Sequence, residues 1–193
     1  TGSEGLLGVI TEITVKLTPK PELAKLVMAG FDSVRDCADA VADIIKNGVI
    51  PAGLEMMDAF AIEAAEDFAK PGYPLDAKAL LLCELDGSTE LVNNDVSMVK
   101  TLLSKATSIR VSKTEEERLL LWKGRKSAFP AVGRLSPDYY CMDGTIPKRY
   151  LGDVLEEINQ LSRQYNLRVA NVFHAGDGNL HPLILYDAGI PGE

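Results

Sequence analysis

Ala77-Lys-Ala-Leu-Leu-Leu-Cys-Glu-Leu85 is the stretch that decides the fold. Its apolar residues run on without polar alternation. A strand of that kind is buried on both faces and sits inside a sheet. Working outward on the N-terminal side, Pro71-Gly-Tyr-Pro74 reads as a loop, residues 59–69 as a short amphipathic helix and residues 52–57 as a strand. Before these, Ser33 caps a helix carrying Val34, Cys37, Ala38, Val41, Ile44 and Ile45 on one face, with Gly48 just past its end. Residues 26–31 form a strand ahead of it. On the C-terminal side, Ser88 caps a helix with Val92, Val96, Val99 and Leu103 at helical spacing, and residues 107–111 return as a strand. Strand, helix, strand, strand, helix, strand is the split βαβ order. The expected class is therefore α+β, ferredoxin-like, an antiparallel sheet with helices packed on one face.

A second run of elements follows and suggests two related halves. Thr114 with Glu117 makes a capping box for a helix bearing Leu120, Leu121, Trp122 and Arg125. Residues 130–137 read as a loop and 139–143 as extended. Pro147 opens a helix that ends near Tyr165, and residues 167–173 form a strand.

The chain has 193 residues, 46 % of them hydrophobic, and a net charge of −8. Its length can bury a substantial core. The acidic balance argues against nucleic acid and anionic membrane surfaces. No apolar run is long enough to span a membrane, and no signal peptide is evident. Cys37, Cys83 and Cys141 are odd in number and set among apolar residues, as buried thiols of a reducing cytoplasm would be. The chain opens at Thr1 inside a Gly-rich motif and reads as a piece of a longer protein.

Both histidines lie in His174-Ala-Gly-Asp-Gly-Asn-Leu-His181. Asp177-Gly178 is a two-residue hairpin signal. Counting outward from that turn sets His174 opposite His181, close enough to share a divalent metal such as zinc or manganese. Two hairpin histidines with no ligand is the other reading. A third ligand would be a carboxylate in a strand-like stretch, with Glu55, Glu84, Asp86 and Asp143 as candidates. Pro182 cannot donate a ladder bond, so the strand becomes irregular just after His181.

Arg125 lies three residues after Trp122 on one helix face. It is either a carboxylate anchor or a solvated cation like Lys123 and Lys126. Gly2, Gly5 and Gly8 let a backbone approach a phosphate, but a strand of alternating pattern (residues 9–17) follows where a Rossmann or P-loop motif needs a helix. A simple Gly-rich turn is the alternative. A metal-dependent hydrolase built on the histidine pair and a non-catalytic ferredoxin-like ligand-binding module both stay open on these residues.

Residues 1–18, Trp122-x-x-Arg125-Lys126-x-Ala-Phe129, Tyr139-Tyr-Cys-Met-Asp-Gly-Thr-Ile-Pro147 and HAGDGNLH together resemble the FAD-linked oxidase family, which includes glycolate oxidase and D-lactate dehydrogenases. The wording of residues 136–147 and 167–185 is most similar to the flavin-binding-subunit branch of glycolate oxidase. The resemblance implies a boundary near residue 22. Residues 1–22 would end an FAD-binding domain, with Gly2, Ser3, Gly5, Gly8 and Ile10 at the cofactor. Residues 23–193 would form a truncated substrate domain. It implies that His174 and His181 bind a divalent metal and that Arg125 holds the carboxylate of a small 2-hydroxy acid, glycolate or D-lactate, oxidised by hydride transfer to FAD. The family's third metal ligand and its base belong to a downstream Gly-Glu-His-Gly motif not found in these residues, so no catalytic base is expected in this chain and little activity from it alone. Cys141 stands where the 2-hydroxyglutarate branch carries a lysine, which favours a smaller substrate. Implied partners are a second flavin-like subunit and an iron–sulfur subunit, with a cytoplasmic location and membrane association only through the complex.

Overall fold

The computed structural model describes residues 2–192. In chain order, β1 is Leu23–Phe31, α1 Val34–Lys46, β2 Gly53–Asp58, α2 Ala59–Ala69, β3 Ala79–Gly87, α3 Thr89–Leu102 and β4 Ser108–Val111. There follow α4 Glu115–Lys126, α5 Ala128–Val132, β5 Asp138–Cys141, β6 Gly144–Thr145, α6 Leu151–Tyr165, β7 Val169–Phe173, β8 Asn179–Leu180 and β9 Pro182–Tyr186. A short 3₁₀ turn, Lys148–Tyr150, leads from Pro147 into α6.

Seven strands form one sheet in the order β4-β1-β3-β2-β7-β9-β5, every pairing antiparallel. The first four have ferredoxin order: β1 and β2 flank β3, joined by the α1 crossover, which is the split βαβ unit. The last three repeat it, since β5 and β7 flank β9 and α6 makes the crossover. The two halves meet where β2 pairs with β7, at Met56↔Phe173 and Met57↔Val172. The expectation of two related halves matches this topology.

Strand periodicity explains the layers. Val27, Ala29, Phe31, Leu81 and Cys83 point to one face, into a core with α1, α3 and α6. Leu26, Met28, Leu80 and Leu82 point to the other, into a core with α2, α4 and α5. Each fully buried leucine of β3 contributes roughly 1.5–3 kcal/mol of transfer free energy. The antiparallel α+β class holds, and the two ferredoxin helices α1 and α3 do share a face. The placement of all helices on one face does not hold, because α2, α4 and α5 cover the opposite side. The run 77–85 already carried the reason: a strand apolar at odd and even positions needs cover on both sides.

Two further expectations are corrected. Residues 9–17 form no strand; Val9, Ile13, Val15 and Leu17 are 66–86 % exposed. Their alternation is that of a half-buried strand, but no neighbouring strand among the described residues pairs with them. Cys37 and Cys83 are buried, whereas Cys141 is exposed, because it lies on β5 at the edge of the sheet.

Candidate active site

The seam between the halves gathers the polar groups. The register that pairs Met56 with Phe173 sets Glu55 opposite His174 on the face covered by α4. Glu55 is 7 % exposed, in a strand whose other residues after Gly53 are buried and mostly apolar. Its Oε1 lies 2.8 Å from His174 Nδ1, and its Oε2 lies 2.7 Å from Arg125 Nη2. Arg125 is therefore a buried, paired side chain, 7 % exposed, and not the solvated cation its lysine neighbours suggested. Its Nε is buried with no hydrogen-bond partner.

Helix α4 carries Arg125 to this place by a regular face. Arg118, Trp122 and Arg125 follow i, i+4, i+7 spacing and all turn toward carboxylates of the sheet. Arg118 Nη1 donates to Glu84 Oε2 at 2.6 Å, Trp122 Nε1 donates to the same oxygen, and Arg125 reaches Glu55. Glu84 pairs with Gly53 across β2 and β3, so the two glutamates lie two β2 positions apart. Close packing seats the last turn: a Cβ on Gly124 would come within 2.6 Å of Pro71 and of the Tyr73 hydroxyl, which itself donates to Leu121 O at 2.5 Å. Thr114 caps the helix as the sequence indicates, its hydroxyl accepting from Glu117 N–H at 3.2 Å. The Glu117 carboxylate reaches back to the N–H of Lys113 at 2.7 Å.

The histidine pair forms by a different turn from the one expected. His174 bridges Asn179, not His181. The loop holds four residues, 175–178, closed by Asp177 N–H to His174 O at 3.0 Å and Asn179 N–H to His174 O at 3.2 Å. Gly178 takes positive φ, +72°, and Asp177 does not, so a two-residue type I′ turn is absent. The expected register was wrong by two residues. A slip of two preserves the side-chain face, where a slip of one would reverse it. The imidazoles still meet, 5.3 Å between ring centroids and nearly perpendicular at 88°. The chain leaves regular pairing at His181 before β9 starts at Pro182, as anticipated.

His181 packs edge-on to Phe129 at 6.0 Å, and its Nδ1 lies 3.5 Å from Asp143 Oδ1. Asn179 Nδ2 donates to Asp143 at 2.8 Å. Burial lowers the His181 pKa below the ordinary histidine range, and the nearby His174 and Arg125 lower it further, against the pull of Asp143 and Glu55. That keeps the ring neutral, the form that ligates metals. Each imidazole thus has a carboxylate on its Nδ1 side, at 2.8 Å for His174 and 3.5 Å for His181, and neither carboxylate occupies Nε2. Of the four candidate third ligands, Glu55 and Asp143 are near the pair. Glu84 is committed to α4, and Asp86 is exposed at the far end of β3. Among the described residues no group of three or more His, Cys, Asp or Glu side chains could hold a metal ion.

A cavity of about 540 Å³ opens beside His174 and Glu55, walled by Leu54, Lys148, Gly176 and Asp177 and the loop before β2. Gly2, Ser3, Gly5, Gly8 and Ile10 line a separate hollow formed by residues 2–10 alone. The structure does not bring them to the histidines.

Comparison with known proteins places this geometry. Residues 20–193 match the family described as FAD linked oxidases, C-terminal domain. The chain belongs to the FAD-linked oxidase family. Among curated members of the FAD-linked oxidases, glycolate oxidase subunit GlcD of Escherichia coli is 64 % identical over the whole chain, which spans 39 % of that relative. Glycolate oxidase subunit GlcD of Bacillus subtilis is 40 % identical over 96 % of the chain and 40 % of its own length. The mitochondrial D-lactate dehydrogenase [cytochrome] of Arabidopsis thaliana is 29 % identical, covering 96 % of this chain and 33 % of that one. The chain thus spans about two-fifths of the glycolate oxidase relatives. Solved structures agree in fold: alkyldihydroxyacetonephosphate synthase at TM-score 0.67 and 16 % identity, over 95 % of this chain and 40 % of that one, and p-cresol methylhydroxylase at 0.61 and 14 %, over 90 % and 41 %. No helix among the described residues is long and apolar enough to cross a membrane.

Glu55 and Asn171 are the residues whose roles the sequence concealed. Glu55 stood among four candidate carboxylates, and the pairing of β2 with β7 singles it out. The interruption of an apolar strand, Leu54-Glu55-Met56-Met57, was the available signal.

Proposed function

We propose that this chain is the substrate domain of a longer FAD-dependent 2-hydroxy-acid oxidoreductase, with residues 1–22 ending its FAD-binding domain and 23–193 forming the domain that holds the substrate. Glycolate, or D-lactate, is oxidised to the 2-oxo acid. One observation carries the reading: Arg125 of α4 and the histidine pair of the hairpin after β7 converge on one face at the seam of the two halves. A bound FAD would supply the hydride acceptor, and a divalent ion a Lewis acid for the substrate oxygens.

The chain's own residues do the positioning. Arg125 has donors beyond the one turned to Glu55, including an orphaned Nε, and these suit a planar carboxylate. His174 and His181 present ring nitrogens that would hold zinc or manganese. They are two ligands and fit part of a coordination sphere. Phe129 against His181 helps exclude water from that side. Gly2, Ser3, Gly5, Gly8 and Ile10 would line the flavin from the other domain. The GlcD relatives at 64 % and 40 % identity, named as subunits of glycolate oxidase, support a multi-subunit assembly; a second flavin-like subunit and an iron–sulfur subunit are the partners proposed for it. In that reading the complex is cytoplasmic, with any membrane contact made by the partners.

The test is dye-linked oxidation of glycolate and D-lactate by the intact flavoprotein, with metal content measured on the same sample. Turnover lost together with the ion in His181→Ala supports the reading. A protein that binds flavin but turns over neither acid sinks it.

A further inference from the structure

We propose that Glu55 is a positioning residue that sets two functional groups at once, the tautomer of His174 and the orientation of Arg125. The inference rests on the substrate-domain reading above. An apolar side chain is what the burial of β2 calls for at this position, since Leu54, Met56 and Met57 around it are all buried. A carboxylate there is disfavoured by loss of water and persists only when its charge is paired. Its two oxygens face different elements: Oε1 lies 2.8 Å from Nδ1 of His174, in the hairpin after β7, and Oε2 lies 2.7 Å from Nη2 of Arg125 on α4, an ion pair without an aligned hydrogen bond.

Glu84 is the comparison that separates this role from plain packing. It lies on the same face, is also shielded, and also pairs with α4 through Arg118 and Trp122. No histidine touches it. Fastening α4 to the sheet is therefore accomplished by Glu84, and Glu55 adds something that fastening does not need. A carboxylate oxygen 2.8 Å from Nδ1 is placed to accept from an Nδ1–H, so this contact selects the tautomer that keeps the Nε2 lone pair free for a metal ion. The other oxygen pairs with Nη2 of Arg125 alone and leaves the buried Nε of the guanidinium without a partner, free for a substrate carboxylate. Because one side chain holds both, the substrate anchor and the ligand histidine are kept in a fixed mutual geometry.

The experiment uses the intact flavoprotein with ¹⁵N-labelled histidine, observed above the histidine titration range. In the wild type, His174 is expected as the Nδ1–H tautomer; an Nε2–H tautomer overturns the proposal. Glu55→Gln can satisfy both partners only if His174 changes tautomer, because its amide nitrogen is a donor and would otherwise face the Nδ1–H or the Arg125 donor. It is expected to mix the His174 tautomers, weaken zinc binding by about 10–100-fold and raise KM for glycolate about tenfold or more. A Glu55→Gln protein with lowered stability but unchanged tautomer, zinc affinity and KM overturns the positioning role and leaves a packing one. Should Glu55→Gln fail to fold, the wild-type tautomer still decides. Absence of metal and of 2-hydroxy-acid turnover in the wild type counts against the substrate-domain reading instead, since the tautomer is read without either.

Discussion

Glu55 and His174 face each other across the one strand pair that joins the two halves of the sheet, with Oε1 2.8 Å from Nδ1. The site is therefore a property of the seam. Neither half contains it alone: β2 supplies Glu55 from one side, β7 with its hairpin supplies the histidines from the other, and α4, the helix that follows the first ferredoxin unit, brings Arg125 to both.

The hairpin depends on Gly178. Its φ of +72° lies in the left-handed region, and a Cβ there would stand 2.2 Å from the backbone oxygen of Ile146. Backbone cannot yield as a side chain would. The same pair is joined by a hydrogen bond from Ile146 N–H to Gly178 O at 2.9 Å. Gly178→Ala should cost about 3 kcal/mol or more, from left-handed strain plus overpacking. Urea unfolding measures it, and a midpoint within error of the wild type would show that the loop has another way to close.

Gly124 tests how Arg125 is seated. Alanine is the better helix former by about 1 kcal/mol. Against that, a methyl at 2.6 Å from the Pro71 ring and the Tyr73 hydroxyl must move groups that have little freedom, at a cost of roughly 1–3 kcal/mol. The clash should win. Gly124→Ala is expected to lower stability and raise KM for the 2-hydroxy acid, whereas a gain in melting temperature would mean that α4 can shift freely.

Much of this was legible in the sequence, for identifiable reasons. The helices announced themselves by apolar periodicity and by the caps Ser33, Ser88 and Thr114, all observed with their hydrogen bonds. The ferredoxin order followed from the unalternating run around Leu80–Leu82. What stayed hidden was non-local. No periodicity reveals that β2 pairs with β7, so Glu55 could not be told from Glu84, nor Arg125 from Lys123. The loop of four residues was missed because Asp-Gly also closes longer turns with glycine alone at positive φ. The histidines were placed on one face correctly because the register error was even.

Arg125→Lys separates charge from shape. Lysine keeps the positive charge beside Glu55 but offers no planar fork. If Arg125 holds the substrate carboxylate, KM for glycolate should rise about tenfold or more, the worth of one bidentate contact, while flavin absorbance stays the same. Steady-state kinetics on the intact flavoprotein decide it, and an unchanged KM would remove Arg125 from the substrate.

Asp58 gives the clearest pH dependence. It ends β2, caps α2 through Oδ1 to Ala61 N–H at 2.9 Å, and accepts from Asn171 N–H at 2.9 Å and Nδ2 at 2.8 Å through Oδ2. It thus ties α2 to β7 three residues from Glu55. Burial pushes its pKa from an ordinary 3.8 up to about 6, although the N–H groups of Ala61 and Asn171 pull downward. The folded protein then holds this proton more tightly than the unfolded chain does. Between the two values the folded state carries more protons, so its stability falls as pH rises from 3.8 to about 6 and is level above. The change attributable to this group is a few kcal/mol, at about 1.4 kcal/mol per pKa unit. Asp58→Asn removes the titration. It also turns an amide donor toward the donors of Asn171, a penalty that is the same at every pH. Unfolding midpoints of wild type and Asp58→Asn across this window should therefore diverge with falling pH, the wild type gaining relative to the variant. Parallel pH profiles for the two proteins would show that Asp58 titrates where an exposed aspartate does.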